Sequence, residues 1–192
     1  MSRTTCWGVA FAWSVLSLAS VPHLAAQQGK VTRLPTPGGE VIFANPGEQE
    51  EIYDALNYAA ARRAGDFVYL AGVEAGPAKG EGTDVAAFKG QLRRAFTAIG
   101  NSLTASGATF ADVVQLQSFH NCKTPNFSGD FDAQLVAMIE VRTEFARKGV
   151  YPTWTALCID RHYSANTVVE IQMVAYAPLK AATRQGPGRR AH

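Results

Sequence analysis

With 192 residues, 47% of them hydrophobic, the chain can bury one sizeable core but has no room for two full domains. Its formal charge is +2, and much of the excess lies in Arg184, Arg189 and Arg190 near the C-terminus. That is too small and too peripheral for the footprint of a nucleic-acid binder, so no nucleic-acid partner is expected.

Residues 1–26 carry a basic start at Arg3, an apolar stretch from Cys6 to Ala19, and small residues Ala25 and Ala26 ahead of a polar run. This is the plan of a secretory signal peptide. The apolar run is shorter than the roughly 20 residues of a membrane-spanning helix, so the mature protein is expected to start near Gln27, secreted or periplasmic and free of the membrane. Leu24 makes the cleavage signal imperfect. Cys6 leaves with the signal, and Cys122 and Cys158 remain in a compartment that permits disulfides. Both lie at or near strand-like runs, which favours buried free thiols packing as small hydrophobes over a bridge.

Residues 27–50 are rich in Gly, Pro and charge around one short apolar patch, VIFA, and are expected to form an extended arm. The folded domain is placed at 51–178, and 179–192 is a flexible basic tail. NYAAARRAGDFVYLAGV gives two extended runs about a Gly65-Asp66 turn, a hairpin signal. From Asp84 to Ser106, Val85, Phe88, Leu92, Phe96, Ile99 and Leu103 recur at helical spacing, with Thr83 or Asp84 to cap the start and Gly107 the end. VVQLQSFHNC, residues 113–122, alternates as a strand. A second helix follows from Asp130, with Phe131, Leu135, Met138 and Phe145 on one stripe and Gly149 at the stop. WTALCID and TVVEIQMVAYA complete the order strand, strand, helix, strand, helix, strand, strand.

Two such helices cover one face of a sheet of about five strands. FVYLAGV and much of WTALCI are nevertheless apolar on both faces, so another copy of the chain is the expected cover. The last strand should turn Val168, Glu170, Gln172 and Val174 to that open face and Val169, Ile171 and Met173 to the helices. Glu170 is the odd residue there. A carboxylate enclosed at an interface is either paired with a cation or used to handle a proton.

NYAAARRAGDFVYLAG, QLRRAFTAIGNSLTASGATFADVVQLQSF, FDAQLVAMIEVRTEFARKGVYPTWTALCIDR and VVEIQMVAYA resemble, in consistent order from Asn57 to Ala177, the RidA (YjgF) family of imine deaminases. The resemblance implies an α+β, chorismate-mutase-like fold, a mixed sheet with two helices packed on one face, assembled as a homotrimer with a pocket at each subunit interface. It also implies roles: Tyr58 lines the substrate, Gly72 lets the backbone approach it, and Glu170 places the hydrolytic water. Arg161 matches an arginine common at the end of its strand. The family's Pro-x-Arg-Ser/Thr stretch, whose arginine holds the substrate carboxylate, is Pro152, Thr153, Trp154, Thr155 here. An indole offers one N–H where a guanidinium offers a planar fork, so the usual 2-imino acids are not the expected substrates. Trp154 is then expected to stack on an unsaturated ligand, with Thr155 supplying a hydroxyl.

His120, Cys122, Cys158, Asp160 and His162 are ligand types without an established zinc spacing, and no cofactor motif is present. Neither histidine has a serine nucleophile at a recognisable spacing. Arg62 and Arg63 read as solvated hairpin charges. Two functions follow: a secreted hydrolase of an imine, enamine or related C–N compound, with Glu170 catalytic, or a non-catalytic small-molecule-binding or interaction protein on the same scaffold.

Overall fold

Seven strands form one sheet in the order β1-β2-β3-β4-β7-β5-β6. The computed structural model describes residues 30–146 and 148–179. The expected signal at 1–26, the first residues of the arm and the tail from 180 lie outside them. The strands are β1 (Thr32–Thr36), β2 (Gly39–Phe43), β3 (Ala61–Ala64), β4 (Phe67–Ala75), β5 (Val113–Asn121), β6 (Thr153–Ile159) and β7 (Val169–Tyr176). Only β5 and β6 run parallel; every other neighbouring pair is antiparallel. The helices are α1 (Val85–Ala105), α2 (Phe131–Phe145), a short π-type helix, Glu48–Asp54, and a single 3-10 turn, Phe110–Asp112. Among the described residues no helix is long and apolar enough to cross a membrane.

The segment expected to be an extended arm is part of the sheet. Pro37 and Gly38 turn it into a β1–β2 hairpin, with Gly38 at φ 73°, and β2 pairs with β3. Its apolar patch explains the difference: Val41, Ile42 and Phe43 are buried, so the patch gains more by joining the sheet than by staying in water.

The Asp84 carboxylate caps α1 by accepting from Ala86 N and Ala87 N. Its buried face, Phe88, Leu92, Phe96, Ile99 and Leu103, is the face the spacing predicts, except that Val85 in the first turn is exposed. The last turn of α1 presents carbonyls, and two arginines meet them. Arg33 donates to Ala105 O, and Arg63 donates to Ser106 O and, at 2.7 Å, to Ala177 O. Arg63 is only 3% exposed, so it is not a solvated hairpin charge. It fastens the end of α1 to the end of β7, where a cation also suits the helix dipole.

In α2 the buried line is Gln134, Ala137, Met138 and Val141, rotated from the expected stripe; Phe131 and Leu135 are half-buried. The rotation brings Gln134 onto a buried histidine, as described below. The helix ends at Phe145, ahead of Gly149. Along β7, Val169, Ile171 and Met173 are buried, while Glu170, Gln172 and Val174 are half-buried on the other side. Val168 is an exception to the expected pattern. It precedes the strand and is fully buried, its N–H on Ala75 O and its carbonyl accepting from Asn121 N.

Cys122 and Cys158 form a disulfide, not the pair of free thiols favoured by the sequence. The parallel β5–β6 register sets Cys158 opposite His120, two residues before Cys122, and brings the two Cα atoms to 5.6 Å. That separation is ordinary for a bridge.

Candidate functional site

β3 pairs with β4 only from Phe67 to Leu70, and beyond it β4 bulges between Leu70 and Val73 before continuing beside β7. The sheet therefore opens next to Gly72. A cavity of about 520 Å³ fills the opening, walled by Leu70 to Glu74, by Ile99 and Ser102 of α1, and by Ile52 and Leu56, with Tyr58, Tyr163 and Glu170 around it.

The cover over this cavity is held by polar contacts. Glu48, at 6% exposure, turns back so that its carboxylate accepts from Ala44 N at 2.6 Å, Asn45 N at 3.0 Å and Asn45 Nδ2 at 2.6 Å. Asn45 in turn donates to Ala98 O and Ser102 Oγ, each at 3.2 Å, and accepts from Asn101 Nδ2 at 2.9 Å. A buried carboxylate is stable only when bonded in this way, and here the bonds fasten the π-type helix to α1.

Glu170 stands on β7 directly opposite Glu74 of β4 and Phe119 of β5. Its carboxylate lies over Gly72, and a Cβ on Gly72 would occupy the same space. The His162 ring is buried with Nδ1 3.3 Å from Glu170 Oε2, and its Nε2 is buried without a partner. Burial, then the charges of Glu170 and Glu74 and the neighbouring Tyr163, push the Tyr58 phenol above its ordinary pKa.

Tyr58, Gly72 and Glu170 are thus brought together as expected, and the other three expected residues are not. Arg161 is exposed beyond the end of β6 and does not line the cavity. Thr155 faces the same side of the sheet as Glu170, but two strands away, beside Gln117. Trp154 is on the opposite face. Its register partner is Leu116, which faces Met173, and its ring packs on the core. Within one chain Trp154 and Glu170 cannot share a ligand. WTALCI is apolar at nearly every position, so periodicity could not say which face Trp154 takes.

Trp154 has other partners. Its Nε1–H donates to Ser118 Oγ at 2.9 Å, Ser118 lies 2.9 Å from His120 Nε2, and His120 Nδ1 lies 2.9 Å from Gln134 Oε1. Gln134 Nε2 donates to Asn121 O at 3.2 Å. This fixes every proton in the chain. Gln134 Oε1 can only accept, so His120 carries its proton on Nδ1, and Nε2 accepts the Ser118 hydroxyl. Burial holds the His120 pKa below its ordinary value, the Gln134 bond partly offsetting this and His162 adding to it. Arg142 stands 5.5 Å from the Trp154 ring centre, at cation–π range.

His162 was weighed from the sequence only as a metal-ligand type, and Glu74 was not singled out at all. His162 sits in RHYSANT, where no periodicity operates. Glu74 did give a signal, as the one carboxylate in the otherwise apolar β4.

Residues 48–177 match the family model described as Endoribonuclease L-PSP. The RutC family protein YjgH of Escherichia coli (strain K12) is 30% identical over 133 residues, covering 69% of this chain and 92% of the relative. A solved structure of YjgH superposes with a TM-score of 0.53 at 27% identity, covering 68% of this chain and 91% of that one. A YjgF/YER057c/UK114 family protein of Mycobacterium tuberculosis gives a TM-score of 0.51 at 28% identity, covering 67% and 93%.

Proposed function

The chain belongs to the endoribonuclease L-PSP (YjgF/RidA) family, and from that premise we propose that it hydrolyses an imine or enamine at the cavity beside Glu170. The observation that carries this is Glu170 itself, a carboxylate held over Gly72 at the edge of a small-molecule-sized cavity. In the reaction, water adds to the carbon of the C=N bond as Glu170 takes its proton. That proton passes to the nitrogen to give a carbinolamine; the hydroxyl proton then follows to the nitrogen by way of Glu170 as the C–N bond breaks and ammonia leaves, so that one imine and one water give one carbonyl compound and one ammonia. RNA cleavage is a poorer fit, because the walls carry carboxylates and a polyanion would be repelled.

We further propose that the mature protein is exported and works as a homotrimer. The disulfide supports export, since such bonds persist in oxidising compartments. The open sheet face supports assembly: Phe67, Tyr69, Leu157 and Tyr176 are exposed on it.

A second reading, non-catalytic binding on the same scaffold, is favoured by Trp154. By the resemblance it stands where the family carries its carboxylate-holding arginine, and its indole N–H is bonded within its own chain. The deciding measurement is ammonia release from freshly generated imines by wild-type protein and Glu170→Gln. Loss of about 100-fold or more in the variant is expected; equal rates would leave only the binding reading.

A further inference from the structure

Glu74 and Glu170 face each other across neighbouring strands, an arrangement in which like charges cost stability. Among the described residues no lysine or arginine forms an ion pair with either, and none lines the cavity. The contact Glu170 does make, to His162, is long and uses Oε2; Oε1 lies over Gly72. Glu48 is different, because its carboxylate is satisfied by Ala44 and Asn45. Two carboxylates without a lysine or arginine partner among the described residues therefore flank a largely apolar cavity, with Ile52, Leu56, Leu70 and Val73 in its walls, the phenols of Tyr58 and Tyr163 beside them, and Asn45, Glu48 and Ser102 bonded to one another at one side.

We infer that the cavity takes an organic cation, an amine or protonated imine on an apolar body, and does not take a carboxylate-bearing ligand. The carboxylates and phenols supply charge and aromatic attraction for the cationic end, and the walls bury the apolar body. A bare metal ion would leave those walls wet. The Tyr58 phenol beside them is raised above its ordinary pKa first by burial and then by the charges of Glu170 and Glu74. This narrows the substrate class of the reaction proposed above, on which it rests, but binding alone tests it.

The mature protein is titrated calorimetrically near pH 7 with 2-phenylethylamine, 2-phenylethanol and phenylacetate. The amine should bind at least about tenfold more tightly than the alcohol, since a hydrogen bond to a charged group is worth that much or more, and phenylacetate should bind most weakly. Glu74→Gln should remove most of the amine's advantage while leaving the alcohol's affinity in place, which also shows that the variant is folded. An amine that binds no better than the alcohol, or a phenylacetate that matches it, overturns the inference. Amine preference without imine hydrolysis would defeat only the catalytic proposal, and hydrolysis of 2-imino acids without amine preference would defeat only this one.

Discussion

Gly72 leaves room for the Glu170 carboxylate, which a Cβ there would strike. Gly72→Ala should displace that carboxylate while changing little of the core, and a misplacement of about 1 Å in a catalytic group can cost on the order of 100-fold. Imine hydrolysis is expected to fall by that order with thermal stability nearly unchanged; unaltered kcat/KM would show that the placement is unimportant. His120 gives a second residue-scale test. Its folded pKa lies below the ordinary value, so the unfolded chain takes up a proton first as the pH falls. The contribution of His120 is thus fully present above about pH 6.5 and is lost as the pH drops through the folded-state pKa. Denaturant titrations at several pH values should show that loss in wild-type protein and a shallower one in His120→Gln. An identical slope would mean that His120 is not held neutral. Tyr58 and Gly72 were legible through the family resemblance, and Glu170 both through it and as the one carboxylate on an alternating apolar strand. Trp154 was misplaced because a strand apolar on both faces hides its own orientation.

Among the elements, the long amphipathic helix α1 and the alternating strands β5 and β7 could be read directly, since their periodicities were strong. The β1–β2 hairpin could not, because its glycines and prolines mark loops as readily as tight turns and its pairing with β3 is fixed by contacts distant in sequence. Arg63 was hidden for the same reason: its acceptors at Ser106 and Ala177 exist only after the helix and last strand have docked. The disulfide depends likewise on the β5–β6 register. It closes a loop with a sequence separation of 36, for which chain entropy suggests about 2 to 4 kcal/mol, or a melting shift of about 10 °C for a domain of this size. Thermal melts with and without dithiothreitol should differ by that amount. A Cys122→Ala, Cys158→Ala double variant should melt near the reduced wild type and ignore the reductant, whereas coincident wild-type curves would show that the bridge carries no stability.

For the whole molecule, one face of the sheet is sealed by α1 and α2 and the other carries a cluster of large side chains. Phe67 and Tyr176 lie 5.3 Å apart between ring centres and Phe67 and Tyr69 6.4 Å, with Leu157 further along the same face. Exposed area of this kind is costly for a monomer and is what a second copy would bury. Light scattering of the mature protein at micromolar concentration should therefore give three chains per particle, and Tyr69→Glu with Tyr176→Glu should give one, because charges placed at the centre of an interface oppose its desolvation. Glu74, Glu170 and Tyr58 of one chain border the cavity together, so the dispersed variant should keep its affinity for 2-phenylethylamine. Its hydrolytic rate should fall if a neighbouring copy closes the mouth over Tyr58 and Tyr163, both well exposed at 45% and 91%. A wild-type protein that stays monomeric would remove the assembly from the account and leave the open face to some other partner. A dispersed variant with undiminished hydrolysis would instead place the whole reaction within one chain.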